Sequence, residues 1–438
     1  MKINTLLLIS LMILVFTNGA KADYTEADVD NSFYPYKNST PEFTGYEPGL
    51  TINQKNVDQF KDILDPAMYK LIKDGATKMD TMATDSFDLH PNYVKATKNA
   101  INNPPTLKED GTIANYIAGR PFPSEPDASD SSAGTKLIWN YQYGYNWGDN
   151  AAIYPFYWGY RNYKTGKLER TLKFNFHFLN WAHRVNQDPV PEITPNPSKL
   201  FRSIYVQVLE PFDLANTQLL IHRYQNDLKR DDAWLYLGFQ RRVRRLATGQ
   251  VTDSFLGSEL MIEDFEGYNG RVSDYNWKYL ETKNIMLPFY RHNELPNLAT
   301  NIKDKDGYQF VDFGGQGGCF PKIKWQLRKS YIIEGTAKDS GHPLSKRLMY
   351  LDAQTFTIPR QVMYDRKGDI WKTFIIGQAN PLYHLPKNKN SGVSIDDSFM
   401  ALDVQAGHCT TGQFKGQVDP KLNPTSKFTV QNLRKSGK

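Results

Sequence analysis

The chain has 438 residues, 23% of them charged and 13% aromatic, with a formal net charge of +6. That length buries a large core, in one big β domain or two smaller ones. The mild positive excess implies no polyanionic partner, so nucleic acid is not expected as a ligand.

Lys2 precedes an uncharged apolar run, Leu6 to Phe16, and then Ala20-Lys21-Ala22. The run is shorter than the ~20 residues that span a bilayer. Residues 1–22 therefore read as a secretory signal peptide cleaved after Ala22. Loss of Lys2 and Lys21 would leave a net charge of +4 on a chain starting at Asp23. No later segment approaches a membrane-spanning run, so no permanent anchor is expected.

Residues 23–55, with Pro35, Pro41 and Pro48, read as an extended arm. Residues 56–110 form a helical segment. Within it, Phe60, Ile63, Leu64, Met68, Leu71 and Ile72 recur at helical spacing over 57–75, and a weaker helix surrounds Tyr93 to Ile101. PFPSEPDASDSSAG (121–134) is a loop.

From there the period changes to two, and residues 111–425 read as a β domain. WNYQYGYNW puts Trp139, Tyr141, Tyr143, Tyr145 and Trp147 on one face of a strand. TLKFNFHFL does the same with Leu172, Phe174, Phe176 and Phe178. Further strands are expected in SIYVQVLEP, TQLLIHRY, AWLYLGF, KWQLRKSYIIEG, SKRLMYLD, TFTIPRQVMYD and DIWKTFIIG. Turn signals such as Asp365-Arg366-Lys367-Gly368 separate them. Nine or ten strands in a row with few helices between predict an antiparallel meander, as a barrel or a curved sheet. Residues 426–438, polar and basic, read as a flexible tail.

FQRRVRR (239–245) places four arginines in five positions. The following segment carries Asp253, Glu259, Glu263, Asp264 and Glu266, and read as the next strand it would pair with Arg241, Arg242, Arg244 and Arg245. The alternative is a docking surface made of those four arginines, for an acidic partner or lipid headgroups. Catalytic patterns are missing: there is no Gly-x-Ser-x-Gly and no His-Glu-x-x-His, and GGQGG (314–318) lacks the continuation of a phosphate loop. No catalytic residue, cofactor or metal is assigned. Cys319 and Cys409 could form one disulfide, which their spacing does not decide, and His408 beside Cys409 has no second ligand pair. The aromatic face at 139–147 fits a packed core, a hydrophobic cavity or a sugar-stacking platform.

WLYLGFQRRVRRL followed by DSFLGSELMIEDFEG resembles the hallmark of the superfamily of the periplasmic carrier LolA and the outer-membrane receptor LolB. The finer resemblance is to domain-of-unknown-function family 1329. It is carried by NYIAGRPFPSEPDASDSSAGTKLIWN, GYNGRVSDYNWKYLETKNIMLPFY, KWQLRKSYIIEGTAK and KRLMYLDAQTFTIPRQVMYDRKGDIWK. The resemblance implies a curved antiparallel sheet forming an incomplete barrel, with a helical lid over an apolar cavity. It implies export to the periplasm of a Gram-negative bacterium, often beside an RND-type exporter, and supplies no catalytic residues. A non-catalytic carrier of a lipid-like or lipoprotein-like ligand follows as the expected function. Its cavity candidates are Trp139, Tyr141, Tyr143, Phe174, Phe176, Phe178, Ile204, Val206, Val208, Leu235 and Leu237. The alternative is an exported hydrolase or carbohydrate-binding protein with an aromatic cleft.

Overall fold

A computed structural model describes residues 24–247 and 250–436. The expected signal peptide at 1–22 lies outside the described residues. Among the described residues the α-helices are α1 (Glu26–Phe33), α2 (Pro66–Lys73), α3 (Pro91–Asn99), α4 (Ala133–Gln142) and α5 (Val430–Ser436). Among the described residues, the main sheet has 16 strands. Its meander is built from β1 (Asn150–Asn162), β2 (Leu168–Asn180), β3 (Leu200–Glu210), β4 (Gln218–Tyr224), β5 (Asp232–Leu237), β6 (Arg242–Arg245), β7 (Tyr275–Leu287), β8 (Lys324–Ala337), β9 (Lys346–Asp352), β10 (Arg360–Tyr364), β11 (Ile370–Ala379), β12 (Ile395–Asp403) and β13 (His408–Gln417).

Across the sheet these run β7-β8-β9-β10-β11-β12-β13-β1-β2-β3-β4-β5-β6, each antiparallel to its neighbours. Two sequential meanders thus join where β13 pairs with β1. The chain is mostly β, a large curved open sheet with few helices. β6 and β7 sit at opposite ends of this order, yet they are consecutive in sequence. The connection between them, residues 246–274, must cross the sheet from one end to the other. The face it crosses is the inner face.

Strict alternation fixes what that face carries. Phe174, Phe176 and Phe178 of β2 stand opposite Val208, Val206 and Ile204 of β3, with Leu172 in the same cluster. On the other side they meet Phe156 and Trp158 of β1, then Phe414 of β13 and Phe399 of β12. The opposite, outer face is covered as well. The segment from α1 through α3 packs there with Met286, Leu327, Ile375, Met400 and Leu402. Cys319 and Cys409 form a disulfide within that layer.

Five expectations are corrected. Residues 139–147 are no strand: α4 runs to Gln142 and a turn follows. α4 is buried on nearly every side, so it has no polar stripe, and its chance alternation mimics a strand. Gly134 permits its close seat, since a Cβ there would lie 2.7 Å from the backbone of Trp277 and Lys278. The 57–75 helix is split into a 3₁₀ turn (Val57–Ile63) and α2, with Asp65 capping α2 ahead of Pro66, and it packs on the outer face. The arm holds α1, closed by a Thr25–Asp28 capping box and seated by Val29 and Phe33. The tail is the docked helix α5, because Phe428 and Leu433 find an apolar seat with Tyr205, Leu220 and Tyr236. The segment after the arginine run forms 3₁₀ turns instead of a strand.

Candidate functional site: the plugged inner face

Residues 255–268 lie on the aromatic floor of the inner face and plug it. Phe255 meets Trp158 edge-on at 5.9 Å, and Phe265 meets Phe176 at 5.6 Å. Leu260 and Met261 join the same apolar cluster. The backbone takes left-handed values at Leu256 (φ 52°) and Glu266 (φ 61°), which non-glycine residues adopt at a cost of about 1–3 kcal/mol each. Such conformations persist only where surrounding contacts hold them.

Those contacts are polar and come from the sheet. Glu259 binds His408 and Thr410, and its carbonyl accepts from Lys372 Nζ at 2.7 Å. Arg347, fully buried on the inner face of β9, pairs with Glu263 and lies 3.2 Å from Asp264. Burial would raise both carboxyls. Arg347 and His342 hold Glu263 below its ordinary value, while burial prevails at Asp264 and pushes it up. Leu344 N donates to His342 Nδ1 at 3.1 Å, so Nε2 carries the ring proton towards Glu263 Oε1 at 3.0 Å. The hydroxyl beside this pair belongs to Tyr275, which donates to Glu263 at 2.8 Å. The single proton of Tyr141 Oη lies between the carbonyls of Glu266 and Tyr268, whose oxygens are 2.9 and 2.8 Å from the hydroxyl. The acids at 259–266 therefore clasp the plug to the sheet and do not pair with the arginine run.

Among that run, Arg245 binds Asp232. Arg241, Arg242 and Arg244 are exposed and make no ion pair among the described residues. The run lies on a hairpin that turns at 238–241 between β5 and β6.

The plug leaves two cavities. One, of about 50 Å³, is walled by Trp147, Phe156, Trp158, Phe178, Phe399 and Phe414, among others, with Asp264, Glu266 and Asp396 at its wall. The other, about 410 Å³, opens between the β4–β5 end and the start of β7, beside Arg223, Asp231, Arg271 and His342. Arg223 pairs with Asp231 at 2.7 Å, and Arg271 with Asp274.

Of the expected cavity residues, Phe174, Phe176, Phe178, Ile204, Val206 and Val208 do share one buried cluster. Only Phe176 and Phe178 among them reach the small cavity. Trp139, Tyr141 and Tyr143 belong to a separate cluster around α4. Leu235 and Leu237 are half-buried near the sheet edge. Phe156, Trp158, Phe399 and Phe414 also line the small cavity and carry no cavity signal in the sequence. Their strands interleave apolar residues with Gly, Thr and Ser, which blurs the alternation.

A buried group of His292, His384 and Asp397 places its ligand atoms within 4.8 Å of one another. Proton accounting argues against a cation there. Val418 N donates to Asn388 Oδ1 at 3.0 Å, and Asn388 Nδ2 donates to Gly416 O at 2.9 Å. That orientation sends the second amide proton to His384 Nδ1 at 2.9 Å, so the ring proton of a neutral His384 sits on Nε2. Nε2 faces Tyr308 Oη at 2.9 Å, Tyr308 Oη donates to Asp397 Oδ1 at 2.7 Å, and His292 Nδ1 meets Asp397 Oδ2 at 2.6 Å. Burial opposes the Asp397 charge, but His292 and His384 hold the carboxyl well below its usual range. The donor set does not fit a resident metal.

Residues 51–434 match the family described as Protein of unknown function (DUF1329). The chain belongs to that family. Uncharacterized protein PA3922 of Pseudomonas aeruginosa is 26% identical over 346 residues, covering 75% of this chain and 69% of that protein. A DUF1329 family crystal structure from Desulfovibrio piger aligns with a TM-score of 0.47 at 16% identity, over 71% of this chain and all of that one. The LolA superfamily protein NE2245 from Nitrosomonas europaea gives 0.38 at 13% identity, over 65% and 91%.

Proposed function

We propose that this protein is a periplasmic, non-catalytic carrier of a hydrophobic ligand, with the plug at 255–268 as the lid over its binding face. One observation carries the reading. A continuous phenylalanine and tryptophan floor is covered by a separate segment held through charged clasps, and that segment crosses from one end of the sheet to the other. A core meant to stay shut gains nothing from four acids, where apolar residues of similar volume are often as stable. A displaceable cover needs contacts that let go in water. Exposing the floor would give an alkyl chain about 0.8 kcal/mol per buried methylene.

The rival reading, an aromatic platform at 139–147 for sugars, is disfavoured because those rings are buried in and after α4. Docking fits the sheet end that bears the arginines. Phe212 is 98% exposed and Phe239 72% exposed, on the neighbouring β3–β4 and β5–β6 tips. A Cβ on Gly238 would lie 2.5 Å from Ala215 O, so the two tips touch. Exposed aromatics beside Arg241, Arg242 and Arg244 suit an anionic lipid surface. An RND-type exporter as the loading or unloading partner rests on the family resemblance.

The test is native mass spectrometry of protein purified from the periplasm, followed by organic extraction. A co-purifying lipid-like mass supports the carrier. An unliganded mass that binds no alkyl probe, with binding of oligosaccharides, retires it.

A further inference from the structure

The small inner cavity is polar in an uneven way. Glu266, 9% exposed, has Oε2 3.6 Å from Arg202, and the Trp147 side chain adjoins the carboxylate, but Oε1 is buried and has no hydrogen-bond partner within bonding distance among the described residues. Trp158, 4% exposed, also leaves its Nε1 unpaired. Leaving a buried polar atom unpaired costs about 1–3 kcal/mol, more for a charged group. Asp396 shares the wall and has one neutral partner, Gln378 Nε2 at 2.6 Å. The positive φ of Glu266 belongs to the same feature, because that residue's backbone conformation sets its carboxylate at an aromatic wall. Apart from Asp264 and the aliphatic Ile153, Leu260 and Ile376, the remaining wall is ring surface, whose faces attract cations.

These groups select a ligand. Burial prevails over Arg202 and Arg223 and pushes the Glu266 carboxyl up; in its ionised form its free atom is an acceptor with negative charge. A donor head approaching it would complete its hydrogen bonding, and a positive head would also meet the aromatic faces. A carboxylate or phosphate would meet an ionised Glu266 as a like charge in a buried site, where repulsion is poorly screened. We propose that this cavity takes the hydrogen-bond-donating head, ammonium or hydroxyl, of an amphiphile whose apolar tail lies along the Phe174–Phe176–Phe178 face, and that it turns away carboxylate and phosphate heads. This inference rests on the carrier reading and adds the class of head group. Burial pushes the Asp396 carboxyl up to about 8, with the Glu266 charge adding to the rise, so Asp396 would give up its proton when an ammonium arrives.

The experiment uses the signal-cleaved protein at pH 7 and three probes of one chain length: dodecylamine, 1-dodecanol and dodecanoate. Calorimetric titration reads each affinity. Dodecylamine is expected at least about tenfold tighter than dodecanoate, with 1-dodecanol between them. That ratio corresponds to about 1.4 kcal/mol. Glu266→Gln should collapse the amine-to-acid ratio while leaving 1-dodecanol within about threefold. Asp396→Asn, a second variant should the first fold poorly, should abolish proton release on amine binding. Dodecanoate binding as well as the amine, or a ratio that survives Glu266→Gln, overturns the head-group proposal and leaves the carrier reading intact. Failure of all three probes to bind overturns both.

Discussion

Asp396 shows at the residue scale how burial writes a pH dependence. Its folded carboxyl sits at about 8 against an ordinary value near 4, mainly through burial, so the folded protein holds a proton that the unfolded chain has lost. The stability this contributes is fully present below about pH 4 and is lost as pH rises towards 8, at about 1.4 kcal/mol per pH unit. Asp396→Asn should flatten that slope in thermal melts between pH 4 and 8; a slope equal to that of the unaltered protein would show that Asp396 ionises freely. Arg347 is the opposite case, a buried cation between two carboxylates. Arg347→Met strands Glu263 and Asp264, and denaturant unfolding should show a loss of about 3–5 kcal/mol. Adding Glu263→Gln and Asp264→Asn should restore most of it. Neither pairing was legible in sequence, because Arg347 lies about 80 residues from its partners and the nearer arginines at 241–245 looked like the natural match.

Legibility was better among the elements wherever one face was clearly apolar. β2 and β3 follow directly from Leu172-x-Phe-x-Phe-x-Phe and Ile204-x-Val-x-Val. Both faces of the sheet are covered, however, so β1, β12 and β13 carry buried residues on each side, including Asn150, Thr410 and Ser398, and lose the signal. Burial on all sides misled in α4 for the same reason. The plug was legible as an acidic apolar segment but not as a cover, since 3₁₀ turns have no period of their own. Its clasp at His408 titrates: burial lowers the imidazole, but Glu259 and Glu169 prevail and raise it above its ordinary value. That clasp is therefore complete below about pH 6.5 and loosens as pH rises through the raised value. His408→Gln should speed amide exchange across 259–268 at pH 6 and change it little at pH 9. At the arginine hairpin, Arg241→Glu with Arg242→Glu should leave the melting temperature unchanged, since neither arginine has an ion-pair partner among the described residues. The same change, or Phe212→Ala with Phe239→Ala, should reduce co-sedimentation with phosphatidylglycerol vesicles severalfold. Equal sedimentation by all variants would move docking elsewhere.

For the whole molecule, topology carries the proposed function. Because the two sequential meanders close through β13 and β1, the chain's crossing between β6 and β7 is left to span the inner face, and in the carrier we propose, that one connection serves as both link and lid. The layers on the outer face, locked by the disulfide and by the His292–Asp397 network, leave that crossing as the part with a place to go. Hydrogen–deuterium exchange with and without dodecylamine tests this most directly. A carrier with a displaceable plug should gain exchange at 255–262 when the probe binds, while 264–268, which carries the head-group residue Glu266, and 172–178 and 204–208 stay as protected as before. Unchanged or slower exchange at 255–262, with the probe bound and 172–178 and 204–208 unaltered, would contradict it.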